Sequence, residues 1–302
     1  MMEPTGRFAP SPTGRMHLGN VFSALLSWLS ARSRGGKWLL RIEDIDPARS
    51  RQEYADLLMD DLQWLGLWWD GQPVYQSRRS DIYEHYYRLL QAKGLTYPCY
   101  CTRADLLATQ APHESDGRVV YPGTCRHLPP QVGEQRGAAA TRLIVPDEDM
   151  TFTDGHYGEH CVNLAHQVGD FIIRRKDGAW AYQLAVVVDD ALTGVTEVVR
   201  GSDLLLSSPQ QIYVARLLGF PEPRFCHLPL LSNRQGQRLS KRDKSMDMAS
   251  LRQRFTPEDI IGRLAFLAGL LPQPQPTTAE ALLPLFRWDK VPLSPIVIDD
   301  WG

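Results

Sequence analysis

Alternation of short strands with amphipathic helices at the start of the chain is the feature that most restricts its fold. Strands are expected at residues 6–9 and 38–42. The helix after the first has apolar residues at i, i+3, i+4 and i+7, and the helix after the second also has its apolar residues on one face. This order favours an α/β fold with a Rossmann-type, doubly wound parallel sheet covered by helices on both faces. Ligands of such sheets bind beyond the carboxyl ends of the strands, where the loops around Ser11 and Glu43 lie.

The pattern changes after residue 96. The next stretch consists of short segments rich in Pro, Gly, His and Arg, which indicates an insertion into the sheet. The predicted organisation has two halves of the sheet domain, an inserted subdomain between them and a short helical C-terminal region. Their expected ranges are 1–96 and 178–245 for the halves, 97–177 for the insertion and 246–302 for the C-terminal region.

Regular structure is expected to resume after the insertion. Ser208 and Pro209 favour the start of a helix that ends at Gly219, and Thr256 favours a capped helix running to about Leu271. Apolar, β-branched runs predict strands in this half of the sheet. Those strands are expected at 185–188, 195–200 and 225–231.

Composition excludes several classes of protein. Of the 302 residues 43% are hydrophobic and 23% charged, which rules out a wholly disordered chain. No apolar run approaches the roughly 18 residues of a membrane span, so a cytoplasmic protein without membrane contact is expected. The net charge is −2, so a nucleic-acid partner would have to be held by local basic patches.

Two polar segments predict phosphate chemistry. The string RFAPSPTGRMHLGN at 7–20 lies between a strand and a helix, where it would bring backbone N–H groups and the His17 imidazole to the positive end of that helix. The string RLSKRD at 238–243 offers Lys241, whose ammonium could neutralise charge on a departing pyrophosphate. Taken alone, each string could be a surface turn.

Three cysteines suggest a metal site. Cys99 and Cys101 are separated by one residue, and Cys125 follows Tyr121 by four, a spacing that suits tetrahedral Zn²⁺. Tyr121 and His127 compete for the fourth position, and general chemistry favours histidine. Buried free cysteines are the alternative, and this is the interpretation preferred for Cys161 and Cys226.

Together, the two polar strings resemble the HIGH and KMSKS signatures of class I aminoacyl-tRNA synthetases. HLGN at 17–20 and RLSKR at 238–242 occupy those places, and RFAPSPTG, RIEDID at 41–46 and GVTEVVRG at 194–201 resemble the glutamyl/glutaminyl branch. The resemblance covers about residues 5–245. It implies an enzyme of the ligase type that uses ATP with Mg²⁺, with His17 and Lys241 as catalytic residues. The implied ATP-binding residues are His17, Gly19, Asn20 and Lys241.

The same resemblance implies a binding site for L-glutamate. A γ-carboxylate is best held by guanidinium groups, which Arg7 and Arg200 could supply, while Glu43 could take the α-ammonium. The residues implied to hold the amino acid are Arg7, Ala9, Ser11, Glu43, Tyr182 and Arg200.

The cysteine segment narrows the resemblance to the glutamyl-queuosine tRNA(Asp) synthetases, shortened paralogues of glutamyl-tRNA synthetase. In these enzymes a tyrosine ligates the zinc, which implies one structural Zn²⁺ held by Cys99, Cys101, Tyr121 and Cys125. The 61 residues after Lys241 leave no room for a separate anticodon-binding domain, and Glu197 stands where a discriminating glutamyl enzyme is expected to have histidine.

The expected function is therefore activation of glutamate without tRNA, followed by transfer to the queuosine base in the anticodon of tRNA(Asp), by a monomer. Two alternatives remain open: a truncated glutamyl-tRNA synthetase that charges tRNA(Glu), and a non-catalytic module that binds nucleotide or RNA. The basic residues expected to contact RNA phosphates are Arg174, Arg175, Lys176 and Arg242.

Overall fold

The computed structural model describes residues 3–102, 105, 120–129, 137–233, 246–298 and 301. Its strands, in chain order, are β1 (Thr5–Phe8), β2 (Lys37–Ile42), β3 (Val74–Tyr75), β4 (Thr96–Cys99), β5 (Ala140–Leu143), β6 (Asp149–Asp154), β7 (Gly158–Asn163), β8 (Phe171–Arg174), β9 (Glu197–Gly201), β10 (Arg224–Leu228), β11 (Leu231–Ser232) and β12 (Ile296–Val297). Its α-helices are α1 (Leu18–Arg32), α2 (Gln52–Trp64), α3 (Ser80–Ala92), α4 (Leu164–Gln167), α5 (Tyr182–Leu192), α6 (Ser207–Leu218), α7 (Met248–Leu251) and α8 (Pro257–Leu267).

A parallel sheet built from both ends of the described chain positions the functional residues. Strands β1, β2 and β3 are parallel neighbours, as are β9 and β10. The two groups meet where Thr196 N–H donates to the Thr5 carbonyl and Thr5 N–H donates to Thr196 Oγ1, both at 2.9 Å. Strand order therefore reverses between β1 and β9, which is the switch point at which doubly wound sheets bind ligands. The predicted α/β class is confirmed.

The stretch between Tyr97 and Asp177 contributes two different structures. Strands β4, β5 and β8 form a small antiparallel sheet of their own. The hairpin of β6 and β7 instead extends the main sheet, because Asp154 pairs in parallel register with Phe225 of β10. This hairpin consequently reaches the side of the main sheet that carries β9 and β10.

Two apolar cores support the sheet. One packs α1, β1 and β2 against the C-terminal helices, with Leu25, Leu40 and Ile261 fully or almost fully buried. The other packs α3, α5 and α6 around β9 and β10. The C-terminal region is helical, as predicted, and its capped helix begins after Thr256, whose side chain accepts from Asp259 N–H.

The strand predicted at 185–188 is wrong. These residues lie in the middle of α5, where every side chain from Leu184 to Asp190 is buried. The middle of this helix is buried on all sides, so its apolar residues form one continuous run in which three valines cannot reveal a helical period. Packing then outweighs the strand preference of β-branched residues.

Candidate active site and cysteine cluster

The loop before α1 forms the first part of the site. His17 is the N-cap of α1: its Nδ1 accepts from Gly19 N–H at 3.1 Å, while Asn20 Oδ1 accepts from His17 N–H at 3.1 Å. Because Nδ1 accepts, the network assigns the proton of a neutral imidazole to Nε2. The imidazole therefore offers a donor at the positive end of a 15-residue helix.

A pocket opens beside this helix start. His17, Gly19 and Asn20 line one side of it, and Gly201 and Leu231 lie on the other. A Cβ on Gly19 would lie 3.0 Å from His17 Cε1, so glycine at this position lets the imidazole pack against the first turn. The pocket thus connects the first string of the sequence with the end of β9.

Lys241 and the rest of the string at 238–243 lie outside the described residues. The chain on its C-terminal side is described and returns to the loop before α1. Met248 N–H donates to the Met16 carbonyl at 2.9 Å, and Asp247 forms an antiparallel bridge with His17. Residues 247 and 248, which follow the second string in the sequence, therefore contact the first string.

Arg200, at the carboxyl end of β9, is the centre of the second part of the site. Its side chain is buried, and its hydrogen-bond acceptors among the described residues are all neutral groups. Nε donates to His227 Nε2 at 3.1 Å, and NH1 donates to Gln211 Oε1 at 2.8 Å and Tyr182 Oη at 3.2 Å. NH2 donates to Ser208 Oγ at 2.7 Å and the Leu204 carbonyl at 3.3 Å.

Burial of this guanidinium has an electrostatic consequence. No carboxylate of the described residues forms an ion pair with Arg200. Burial, aided by the positive charge of Arg7, lowers the pKa of Arg200 below its ordinary value. The group nevertheless stays protonated at neutral pH, so it is a buried cation that favours an anionic ligand.

A second group of charges surrounds Asp190. Arg41 NH1 contacts Asp190 Oδ1 at 2.5 Å, Arg7 Nε lies 3.4 Å from the same oxygen, and Arg41 NH2 contacts Glu43 Oε1 at 3.3 Å. Burial opposes ionisation of Asp190, but the charges of Arg41 and Arg7 outweigh it and lower the pKa of that carboxyl. Burial prevails at Glu43 and raises its pKa, although the same two arginines oppose the shift.

The ion pairs of this region leave out one guanidinium. Arg41 contacts the carboxylates of Glu43, Asp190 and Asp189, and Arg7 contacts that of Asp190, whereas Arg200 pairs with no carboxylate of the described residues. An amino acid with a side-chain carboxylate would supply the anionic partner that Arg200 lacks. Of the other predicted residues, Tyr182 contacts Arg200, and Ala9 and Ser11 lie in the adjoining loop, which Glu43 N–H fixes by donating to the Pro10 carbonyl at 2.9 Å.

Sequence reasoning did not select several residues that shape this site. Arg41 belongs to the RIEDID string, so its position two residues before Glu43 was an available signal. No local sequence signal marks the other residues, because their contacts join positions far apart in sequence. These residues are Asp154, Asp190, Gln211 and His227. The Asp154–His227 contact, for example, spans 73 positions.

The basic residues expected to contact RNA make contacts within the chain. Arg174 pairs with Glu84 at 3.1 Å, Arg175 pairs with Asp46 at 3.1 Å, and Lys176 Nζ donates to the Tyr100 carbonyl at 3.2 Å. Arg242 lies outside the described residues. The structure leaves the predicted phosphate contacts untested.

The three predicted cysteines lie together. The Sγ atoms of Cys99, Cys101 and Cys125 are within 4.8 Å of one another, and those of Cys101 and Cys125 are 3.5 Å apart. Tetrahedral ligation with Zn–S bonds of about 2.3 Å requires sulfur atoms about 3.8 Å apart. The cluster could therefore hold a metal ion with little movement.

The Tyr121 hydroxyl belongs to the same cluster. Its oxygen lies 3.4 Å from Cys99 Sγ and 3.9 Å from Cys101 Sγ, and it accepts from Cys125 N–H at 2.8 Å. His127 is exposed and is absent from the group of donors found among the described residues. General chemistry favours His127 as the fourth ligand, but the location of His127 does not support that choice, because the residue is exposed and lies outside the cluster.

Burial and the neighbouring sulfurs raise the pKa of Cys101 to about 11. A cation among these groups would reverse that effect by favouring the thiolates.

The two cysteines outside the cluster differ in burial. Cys226 is buried as expected, whereas Cys161 is exposed on β7, so the core position predicted for Cys161 is wrong. Alternation along the edge strand turns Cys161 outward while Val162 faces the core.

Fold and site together define a class I synthetase catalytic domain, and comparison with known proteins agrees. The family model for tRNA synthetases class I (E and Q), catalytic domain, matches residues 5–270. A glutamyl-Q tRNA(Asp) synthetase from Symbiobacterium thermophilum is 48% identical over 97% of this chain and 95% of its own length. The chain therefore belongs to the class I tRNA synthetases of the E and Q type and, within them, to the glutamyl-Q tRNA(Asp) synthetase family.

Solved structures show the same architecture. The glutamate-tRNA synthetase of Elizabethkingia anophelis superimposes with a TM-score of 0.84 and 28% identity, over 98% of this chain and 68% of that one. The glutamate tRNA ligase of Elizabethkingia meningosepticum in complex with its amino acid gives a TM-score of 0.83 at 28% identity, over 98% and 67% of the two chains. Among the described residues, none of the helices is both long and apolar enough to cross a membrane.

Packing of Tyr121 against Gly169 predicts how the cysteine cluster can be disturbed. Gly169 has a φ of 71°, and a Cβ there would lie 2.4 Å from the Tyr121 carbonyl oxygen. Gly169→Ala should displace Tyr121 and speed metal release to a chelator. Gly194→Ala is the matched control, since Gly194 has the same φ and no atom within 4 Å of its added Cβ.

Both variants should lose about 1 kcal/mol of unfolding free energy from backbone strain. Only Gly169→Ala should also change the rate of metal release. Equal release rates in the two variants would show that the Tyr121 backbone does not hold the cluster in place.

Proposed function

We propose that the chain activates L-glutamate with ATP and then transfers it to the queuosine base of tRNA(Asp). The observation that carries the first half is the buried charge of Arg200, which contacts Tyr182, lies near Arg7 and has no carboxylate of the described residues as an ion-pair partner. The names of the relatives at 43–51% identity support the second half. The proposed domain division stays as predicted, with residues 97–177 inserted in the catalytic domain.

Glutamate fits the charges at the end of the sheet. Its γ-carboxylate would pair with Arg200 and Arg7, and its α-ammonium with Glu43. The γ-carboxylate would thereby give Arg200 the anionic partner that it lacks among the described residues. The Tyr182 hydroxyl and the Leu204 carbonyl make the two longest contacts with Arg200, at 3.2 and 3.3 Å. These contacts are the ones most easily exchanged for carboxylate oxygens. Ala9 and Ser11 would line the approach.

ATP fits the pocket at the start of α1. His17, Gly19 and Asn20 would receive the nucleotide, with the imidazole Nε2–H donating to a phosphate oxygen and Lys241 supplying a positive charge. The glutamate α-carboxylate oxygen attacks the α-phosphorus, the bond to the bridging oxygen breaks, and pyrophosphate leaves with Mg²⁺. Positioning and charge carry this step, with no covalent bond to the enzyme.

Transfer consumes the adenylate. A hydroxyl oxygen of the queuosine cyclopentenediol attacks the acyl carbonyl, an ester forms, and AMP leaves as the hydroxyl proton is lost. An anticodon base that is splayed out can enter such a pocket, which a base stacked in a duplex cannot.

The cysteine cluster fits a structural zinc ion. Three thiolates and the Tyr121 oxygen would complete a tetrahedral shell with no open position, so the ion would order the segment rather than take part in the reaction. Its proposed ligands are Cys99, Cys101, Tyr121 and Cys125.

Removing the Arg200 charge tests glutamate recognition. Arg200→Gln should raise the KM for glutamate in ATP/pyrophosphate exchange without tRNA by about 10- to 150-fold, the effect of losing hydrogen bonds to a charged group worth roughly 1.5–3 kcal/mol. Arg216→Gln, which alters an exposed arginine paired with Glu222, is the control and should leave exchange unchanged. Exchange that required tRNA would favour an ordinary glutamyl-tRNA synthetase.

The acceptor can be tested with radiolabelled glutamate. The anticodon stem-loop of tRNA(Asp) carrying queuosine should be glutamylated, and the same stem-loop carrying guanosine should not, because only queuosine offers the diol. Label on the 3′ adenosine of tRNA(Glu) at a comparable rate would instead support the truncated synthetase. No transfer and no exchange would support the non-catalytic module.

The fourth zinc ligand can be tested by metal analysis. Tyr121→Phe removes only the oxygen and should lower zinc retention against a chelator, since one of four ligands is lost. His127→Ala should retain one Zn²⁺ per chain, because the exposed imidazole lies outside the cluster. Loss of zinc in His127→Ala alone would assign the position to His127.

A further inference from the structure

A buried histidine contacts the Nε atom of Arg200. His227, on β10, has no exposed surface and receives the Arg200 Nε–H at its Nε2. On its other side, Nδ1 lies 2.6 Å from Asp154 Oδ2. Asp154 is the last residue of β6, so three strands contribute one residue each to a continuous chain of hydrogen bonds.

The donors and acceptors in this chain fix one protonation state. A guanidinium can only donate, so Nε2 must carry a lone pair, and the single proton of a neutral imidazole then lies on Nδ1 and is donated to Asp154. Ser208 Oγ lies 3.3 Å from the same Nε2 and can donate to it as well. Backbone N–H groups of His156 and Tyr157 donate to Asp154 at 2.9 Å and keep it ionised.

The surrounding charges favour the same state. Burial lowers the pKa of His227 despite the hydrogen bond to Asp154, with Arg200 and His160 adding to the decrease. The hydrogen bond from His227 and those from the backbone overcome burial and lower the pKa of Asp154 to about 2. Asp154 therefore orients the imidazole, and the imidazole orients the Arg200 guanidinium. Because the imidazole is neutral, it adds no positive charge beside Arg200.

We propose that His227 and Asp154 are positioning residues that fix the plane of the Arg200 guanidinium for the glutamate γ-carboxylate. This inference rests on the proposed function of Arg200. With Nε bound to His227, the planar group cannot rotate about its stem, and NH1 and NH2 are held in one orientation. Recognition of a carboxylate by two parallel N–H groups depends on that fixed plane.

A pair of substitutions at one position separates the two contacts of the imidazole. The amide of His227→Gln can place its oxygen near the former Nε2 and still accept from Arg200, although it loses Asp154. The shorter amide of His227→Asn can reach Asp154 from the former Nδ1 but not Arg200. Both variants put a polar amide into the same buried position, so their effects on folding are comparable.

Tests use the full chain in tRNA-free ATP/pyrophosphate exchange. His227→Asn should raise the KM for glutamate about tenfold or more, the effect of leaving a buried donor without its acceptor, while kcat at saturating glutamate changes little. His227→Gln should stay much closer to the original KM. Asp154→Asn should give a smaller increase, because an amide oxygen can still accept from Nδ1. His160→Gln, on β7 of the same hairpin and without a hydrogen bond to Arg200, is the control.

Arg200→Gln, measured in parallel, separates the two levels of the proposal. An unchanged KM in His227→Asn with a raised KM in Arg200→Gln would overturn the positioning role and leave the proposed function intact. Unchanged KM values in both would overturn the glutamate site itself. If thermal unfolding shows that His227→Asn does not fold, an unchanged KM in Asp154→Ala, which leaves Nδ1 without its acceptor, overturns the positioning role in its place.

Discussion

Burial of the Arg200 guanidinium without a carboxylate partner among the described residues is the constraint on which the site depends. Guanidinium groups are costly to bury, and Arg7 and Arg41 remain there because Asp190 and Glu43 neutralise them. Arg200 is supported only by neutral acceptors of the described residues. Burying this cation lowers the stability of the fold but keeps it available to an anionic ligand. Strands β1 and β9 bring Arg7 and Arg200 to the same edge of the sheet.

Local sequence signals accounted for much of the fold and for the part of the site that lies on motifs. The strand near residue 40, the capped helix after Thr256 and the loop before α1 each carry their own signal, through alternation, capping or turn residues. The valine run at 185–188 carried a misleading one, because a fully buried helix shows no period. Nothing local could associate Asp154 with His227, since only the pairing of β6 with β10 brings them together.

The metal cluster illustrates a different limit of sequence reasoning. Spacing selected the three cysteines, and the structure places their sulfur atoms together. Spacing could not decide between Tyr121 and His127, which stand on opposite sides of Cys125 in sequence. Burial distinguishes them: the Tyr121 hydroxyl points among the sulfurs under the Arg142 guanidinium, 3.5 Å from the ring centre, whereas His127 faces solvent.

The β6–β7 hairpin is joined to the substrate site through a single carboxylate. Asp154 contacts His227 and His227 contacts Arg200, so under the proposed positioning role a segment between the two halves of the parallel sheet would take part in how the amino acid is held. Exchanging this segment between related enzymes would therefore replace Asp154 without replacing its partner, His227. A chimaera that receives a foreign hairpin is expected to keep its substrate preference only if the residue at position 227 is exchanged along with it.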